Sequence, residues 1–105
     1  MVATVAALCV STASAQDSKT VLTGADFLTA CSRSDPQWIG FCNGYVQAVF
    51  DGIAKPWEEV CAPVGLTRSE IVEVVMKYLT DTPSLLNLNA ASVVYDALVK
   101  TYPCR

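Results

Sequence analysis

The sequence predicts an all-α fold: a small four-helix bundle, up-down-up-down, with two structural disulfides. Three observations carry that expectation. Helix-start signals stand ahead of apolar runs with helical spacing, at Thr23, Asp35, Thr67 and Asn89. Prolines at 56, 83 and 103 fall where those runs should stop, because proline cannot continue a helix. Four cysteines follow the first 16 residues of a 105-residue chain, a density typical of small cross-linked domains.

The first segment stands apart from the rest. Residues 1–16 carry none of the chain's charges, and Val2 to Val10 form an apolar run ending, after small polar residues, in Ala13-Ser14-Ala15. This is the small-x-small pattern of a secretory signal, with a cut after Ala15, although no Lys or Arg precedes the apolar run. The run is too short for a membrane span, which needs about 20 apolar residues. The expected organisation is a signal peptide over 1–15, an N-terminal extension over 16–23 and one helical domain over 24–104, exported to the periplasm.

Helix one is placed at 24–31. Thr23 with Asp26 forms a capping-box-like pair, and Ala25, Phe27, Leu28 and Cys31 supply the apolar side. Helix two opens at Asp35-Pro36, an N-cap acceptor followed by a residue that loses no hydrogen bond at the first helical position, and runs to about Ala54. Helix three begins with Thr67-Arg68-Ser69-Glu70, a capping box with Leu66 and Ile71 placed for a hydrophobic staple. Ile71, Val74, Val75, Tyr78 and Leu79 then follow helical spacing until Thr82-Pro83, where one extra turn runs through Leu86. Asn89 caps helix four, lined by Ala90, Val93, Val94, Ala97, Leu98 and Thr101 and stopped by Pro103.

Helix two carries Gly40, Gly44, Ala48 and Gly52 at four-residue intervals. Each glycine inside a helix costs roughly 1 kcal/mol relative to Ala, so three of them call for a packing reason. Two readings fit: tight packing inside the bundle, or a groove through which two copies form a symmetric dimer. Trp38 and Trp57 flank this helix and are read as core or bundle-end packing ahead of interface anchors.

Removing the signal takes Cys9 with it and leaves Cys31, Cys42, Cys61 and Cys104. Their gaps of 10, 18 and 42 residues contain no C-x-x-C, which argues against a zinc site or a thioredoxin-type motif. With helices alternating in direction, Cys31 with Cys42 and Cys61 with Cys104 is the pairing that needs least distortion. Cys42–Cys61 with Cys31–Cys104 stays open if the 56–66 segment folds back along helix two. By chain entropy the preferred loops contribute about 3 and 4 kcal/mol.

Composition points away from catalysis. The chain has 7 Lys+Arg, 10 Asp+Glu and no His, so it cannot build a Ser-His or Cys-His pair or a histidine metal site from its own residues. Its net charge of −3 and singly scattered basic residues give no footprint for nucleic acid. Glu58-Glu59 and Glu70/Glu73 read as solvated carboxylates, with Glu70 already explained by its cap. No cofactor and no metal is expected.

The segment Phe41-Cys42-x-Gly44-Tyr45, followed by Val49 and Asp51, resembles the F-C-x-G-Y-x-x-x-V-x-D signature of the Rap/Tai immunity proteins. The resemblance continues through Cys61-x-Pro63-x-Gly65-x-Thr67, Val74, Lys77-Tyr78-Leu79 and Pro83 to Ala97-Leu98 and Pro103-Cys104, spanning 24–104. It implies a small exported helical protein whose disulfides are structural. It further implies a partner: a peptidoglycan-cleaving amidase effector of type VI secretion, inhibited by occlusion, with dimers known among such proteins. The alternative is a periplasmic helical binding or scaffold protein with no toxin partner. The signature residues read as structural and assign no contact. The residues of this chain alone suggest Asp81, Ser84, Leu85, Leu86 and Asn87, in a Pro-bounded apolar connection, as a partner-binding segment; the alternative is that the leucines cap the end of the bundle.

Overall fold

A computed structural model describes residues 21–54 and 60–104. The signal segment with its cut after Ala15, the stop at Pro56, Trp57 and Glu58-Glu59 lie outside the described residues. Within them the chain forms α1 (Gly24–Cys31), α2 (Pro36–Ala54), α3 (Arg68–Asp81), a 3-10 turn (Pro83–Asn87) and α4 (Ala90–Thr101). No strand occurs among the described residues, only two isolated antiparallel bridges, Thr23 with Asn89 and Val60 with Pro103. None of these helices is long and apolar enough to cross a membrane.

The caps explain where three helices begin. Thr23 Oγ1 accepts from the Asp26 N–H at 3.1 Å while Asp26 Oδ2 accepts from the Thr23 N–H at 3.0 Å. Thr67 and Glu70 repeat the exchange at α3, at 3.1 and 2.9 Å. Asn89 Oδ1 accepts from the Ala91 N–H at 2.8 Å. Each cap satisfies backbone donors that the first helical turn otherwise leaves unpaired, and is worth about 1 kcal/mol. At α2 the Asp35 carbonyl accepts from the Trp38 and Ile39 N–H groups, both at 3.0 Å, while its carboxylate pairs with Arg33.

The buried faces meet in one core built from Phe27, Val46, Val75, Leu79, Val94 and Leu98, with Ile71, Val60, Ala90, Val93 and Ala97 around them. Each such Val, Leu or Phe contributes about 1.5–3 kcal/mol by leaving water. No polar or charged residue is buried among the described residues. Two details of the expected faces change. Ala25 and Thr101 point to solvent, and Ala30 takes the place of Ala25 on the inner side of α1.

Cys31 pairs with Cys42 and Cys61 with Cys104, with Cα–Cα separations of 5.9 and 5.0 Å. The second link closes the chain end onto the approach to α3, beside the Cys61 N–H bonded to the Tyr102 carbonyl at 2.8 Å.

The four helices depart from strict alternation in one respect. α1 lies antiparallel to α2, since Phe27 meets Tyr45 and Cys31 meets Cys42. α3 and α4 also run in opposite senses, with Tyr78 against Asp96 and Cys61 against Cys104. Yet α1 and α4 begin side by side, with Gly24 N–H to Leu88 O at 2.8 Å and Ala90 N–H to Leu22 O at 2.7 Å. In an up-down-up-down bundle those two starts would lie at opposite ends. The 55–67 connection is the reason: it is too long to force an antiparallel hairpin between α2 and α3.

The start of α1 is also where a glycine is required. A Cβ at Gly24 would lie 2.6 Å from the Leu85 carbonyl oxygen, 2.9 Å from Leu79 Cδ2 and 3.2 Å from Leu86 Cα. Glycine lets α1 seat directly on the 3-10 turn.

Candidate functional site

Several polar side chains of this domain are tied into caps, ion pairs and interhelical hydrogen bonds. Glu70 is held by its cap, and Lys77 pairs with Asp81 at 2.8 Å along α3. Tyr78 of α3 donates its hydroxyl hydrogen to Asp96 Oδ2 of α4, and Lys100 Nζ donates to the Tyr78 oxygen at 3.0 Å. The hydrogen bond to Tyr78, then the bond and charge of Asp96, hold the Lys100 ammonium above its ordinary pKa. The Asp81 hydrogen bond and charge do the same for Lys77. Burial raises the Tyr45 hydroxyl, and burial followed by the Glu70 charge raises Tyr102. These shifts strengthen the protonated forms of surface and edge groups and poise none of them near neutrality. No group of three or more potential metal ligands occurs among the described residues.

What remains is surface shape and apolar exposure. The small-residue stripe of α2 does not pack inside the bundle, which corrects that expectation: Gly40, Gly44, Ala48 and Gly52 are exposed. A Cβ built on Gly40, Gly44 or Gly52 meets nothing within 4 Å among the described residues. The reason lies in the helix's other side, where Cys42 and Val46 face the core and leave the stripe outward. At 100° per residue, Ile39 and Phe41 fall on opposite flanks of Gly40, and they are 46% and 39% exposed. Phe41 belongs to a run of ring contacts leading out from the core, Phe27 to Tyr45 at 5.7 Å, Tyr45 to Phe41 at 5.9 Å and Phe41 to Trp38 at 5.6 Å. Arg33 covers Trp38 at 5.4 Å. Trp38 therefore sits at the bundle's edge, half-buried.

The segment singled out between α3 and α4 divides into two parts. Leu85 and Leu86 are half-buried and pack against the core, so they close the bundle's end. Ser84 and Asn87 are exposed, Asp81 is exposed and tied to Lys77, and Leu88 is the leucine left 48% in solvent. The structure thus brings Leu85 and Leu86 together with Gly24 of α1, on the inside, and leaves the polar members outside.

A further exposed apolar residue lies in the connection between α2 and α3. Val64, at the tip of the connection between α2 and α3, is fully exposed (104%). Gly65 beside it has φ +90°, and the Leu66 N–H bonds the Pro63 carbonyl at 3.2 Å, a turn that needs glycine at its third position. The Pro63-Val64-Gly65 tripeptide was the available signal. The loop stands between two open grooves, of about 580 Å³ toward α3 and about 300 Å³ toward α2.

Exposed apolar residues on fixed elements, such as Ile39, Phe41 and Val64, form a surface suited to binding another protein. No curated protein and no solved structure matches the chain. The family comparison does find a match, over residues 23–104, so the match runs through all four helices and both cysteine pairs. The chain belongs to the family of Rap1a immunity proteins.

Proposed function

We propose that this chain is a periplasmic immunity protein that binds and occludes a peptidoglycan amidase effector of type VI secretion. The observation that carries the reading is the family match across the whole helical domain. Membership in an immunity family supports a toxin as partner and a mode of action by binding, without catalysis. The Ala13-Ser14-Ala15 pattern supports export, and two cysteine pairs suit a compartment in which disulfides persist. Two cross-links limit the freedom the bundle has to lose on association, which suits a protein that acts by binding.

The exposed stripe on α2 is proposed as the contact between two copies. Small residues every four positions let two helix backbones approach closely, and Ile39 and Phe41 on the flanks add apolar area that a second copy covers. Ser84 and Asn87 are proposed as polar partner contacts on a separate face.

The test is co-purification of residues 16–105 with a type VI peptidoglycan amidase effector from the same genome, followed by a lysis assay. A stoichiometric complex that no longer lyses cell walls is the expected result. An amidase that neither binds nor loses activity favours a scaffold protein with no toxin partner.

A further inference from the structure

The fully exposed Val64 is not a stray surface residue. Its turn is clamped on both sides within a few residues. On the N-terminal side the Cys61–Cys104 link, the Cys61 N–H bond to the Tyr102 carbonyl and the Val60–Pro103 bridge hold the chain. On the C-terminal side Leu66 packs against the core and Thr67 is locked in its capping box. Gly65 at φ +90° sets the reversal between them. An isopropyl group is thereby presented on a backbone that has little freedom left to lose on association.

The surroundings define what it meets. The groove along α3 is lined by Leu66, Val74 and Tyr102 on its apolar side and by Glu70, Glu73 and Lys77 on its polar side. Lys77 is neutralised by Asp81 and Glu70 is engaged in its cap. Glu73 is exposed and has no ion pair among the described residues, so the groove presents a net negative charge beside an apolar tip. The complement of that surface is an apolar socket with a cation at its rim.

We propose that the Pro63–Leu66 turn is a wedge by which this chain enters its effector, with Val64 filling an apolar socket and a lysine or arginine beside the socket meeting Glu73. This rests on the proposed function for the existence of the partner, and adds the segment that engages it and the chemistry of the surface it fits. The wedge lies at the start of α3, at the other end of that helix from the Ser84–Asn87 turn.

The experiment measures binding of a type VI peptidoglycan amidase effector from the same genome to the wild-type chain and to Val64→Asp, Gly65→Val and Glu73→Lys, with thermal melting of each. Burying a valine is worth a factor of ten or more in affinity, so Val64→Asp should weaken binding at least about tenfold while melting as wild type does. Gly65→Val, strained at positive φ, should move the tip and weaken binding also. Glu73→Lys should slow association, with the difference shrinking at high salt. Wild-type binding matched within twofold by Val64→Asp overturns the wedge and leaves the proposed function standing. Failure of the wild type itself to bind overturns the proposed function, and the wedge falls with its partner. A lowered melting point for Val64→Asp contradicts the premise that Val64 touches nothing, and overturns the wedge as well.

Discussion

Alanine at Gly24 and alanine at Gly44 should change stability in opposite directions. Both residues are helical, and in an open helix interior the exchange stabilises by up to about 1 kcal/mol through propensity alone. Gly44 has nothing within 4 Å of a new Cβ, so Gly44→Ala should keep most of that gain. At Gly24 the Cβ would sit 2.6 Å from the Leu85 carbonyl oxygen, a backbone atom that cannot swing aside. α1 must then lift from the 3-10 turn. Overpacking of this kind costs about 1–3 kcal/mol. Lifting also loosens the Gly24–Leu88 and Leu22–Ala90 hydrogen bonds, at 2.8 and 2.7 Å, each worth about 1 kcal/mol. Against a propensity gain already reduced at the first helical position, the net expectation is a loss of about 2 kcal/mol. For a domain of this size that lowers Tm by about 10 °C, whereas Gly44→Ala should raise it by a few degrees. Denaturant and thermal unfolding at low protein concentration measure both. Equal signs for the two variants, or a neutral Gly24→Ala, would refute the placement of α1 on the turn.

The other predictions concern the α2 stripe, the 3-10 turn and alkaline stability. Gly44→Leu should give a folded monomer where the wild type sediments as a dimer; an unfolded Gly44→Leu chain would mean that the stripe is packed inside after all. Leu85→Asp should cost more than about 2 kcal/mol, because it drives a charge against the core, whereas Ser84→Asp should leave stability within about 0.5 kcal/mol. Stability should be flat from near neutrality to about pH 9 and then fall. The chain has no His to titrate. Lys77 and Lys100 hold their protons beyond the ordinary 10.5, so their favourable contacts are complete below that value and lost as pH rises through the folded-state pKa. Tyr45 and Tyr102, raised above 10.0, ionise more readily in the unfolded chain and push the same way. An unfolding free energy that rises between pH 9 and 11 would contradict these assignments.

Local hydrogen-bond logic was readable from residue order alone, and neighbours distant in sequence were not. Thr23–Asp26, Thr67–Glu70 and Asn89 announced helix starts because a cap depends on atoms within three residues. The cysteine pairing followed from which chain segments end near one another, and both pairs stand at disulfide distance. The glycines reversed roles for a tertiary reason. The periodic ones on α2 face outward, and the unremarked Gly24 is the one pressed against backbone, a contact set by Leu85 some sixty residues away in the chain. Leu85, Leu86 and Leu88 look alike in sequence. A 3-10 turn aims the first two at the core and leaves the third in water. Val64 shows the converse: the Pro-x-Gly turn was legible, but its projection depends on Cys104 and Tyr102 clamping its base. The sense of the α3–α4 pair relative to α1 and α2 differs from strict alternation because alternation assumes short connections, and 55–67 is not short.

This chain is proposed to work by occupying an enzyme. The most direct test of that proposal is hydrolysis of purified peptidoglycan by a type VI amidase effector from the same genome, titrated with residues 16–105 under oxidising conditions. A linear fall in hydrolysis that reaches zero near one binding equivalent is the expected result. Hydrolysis that continues unchanged at tenfold excess of the oxidised, folded protein would contradict it.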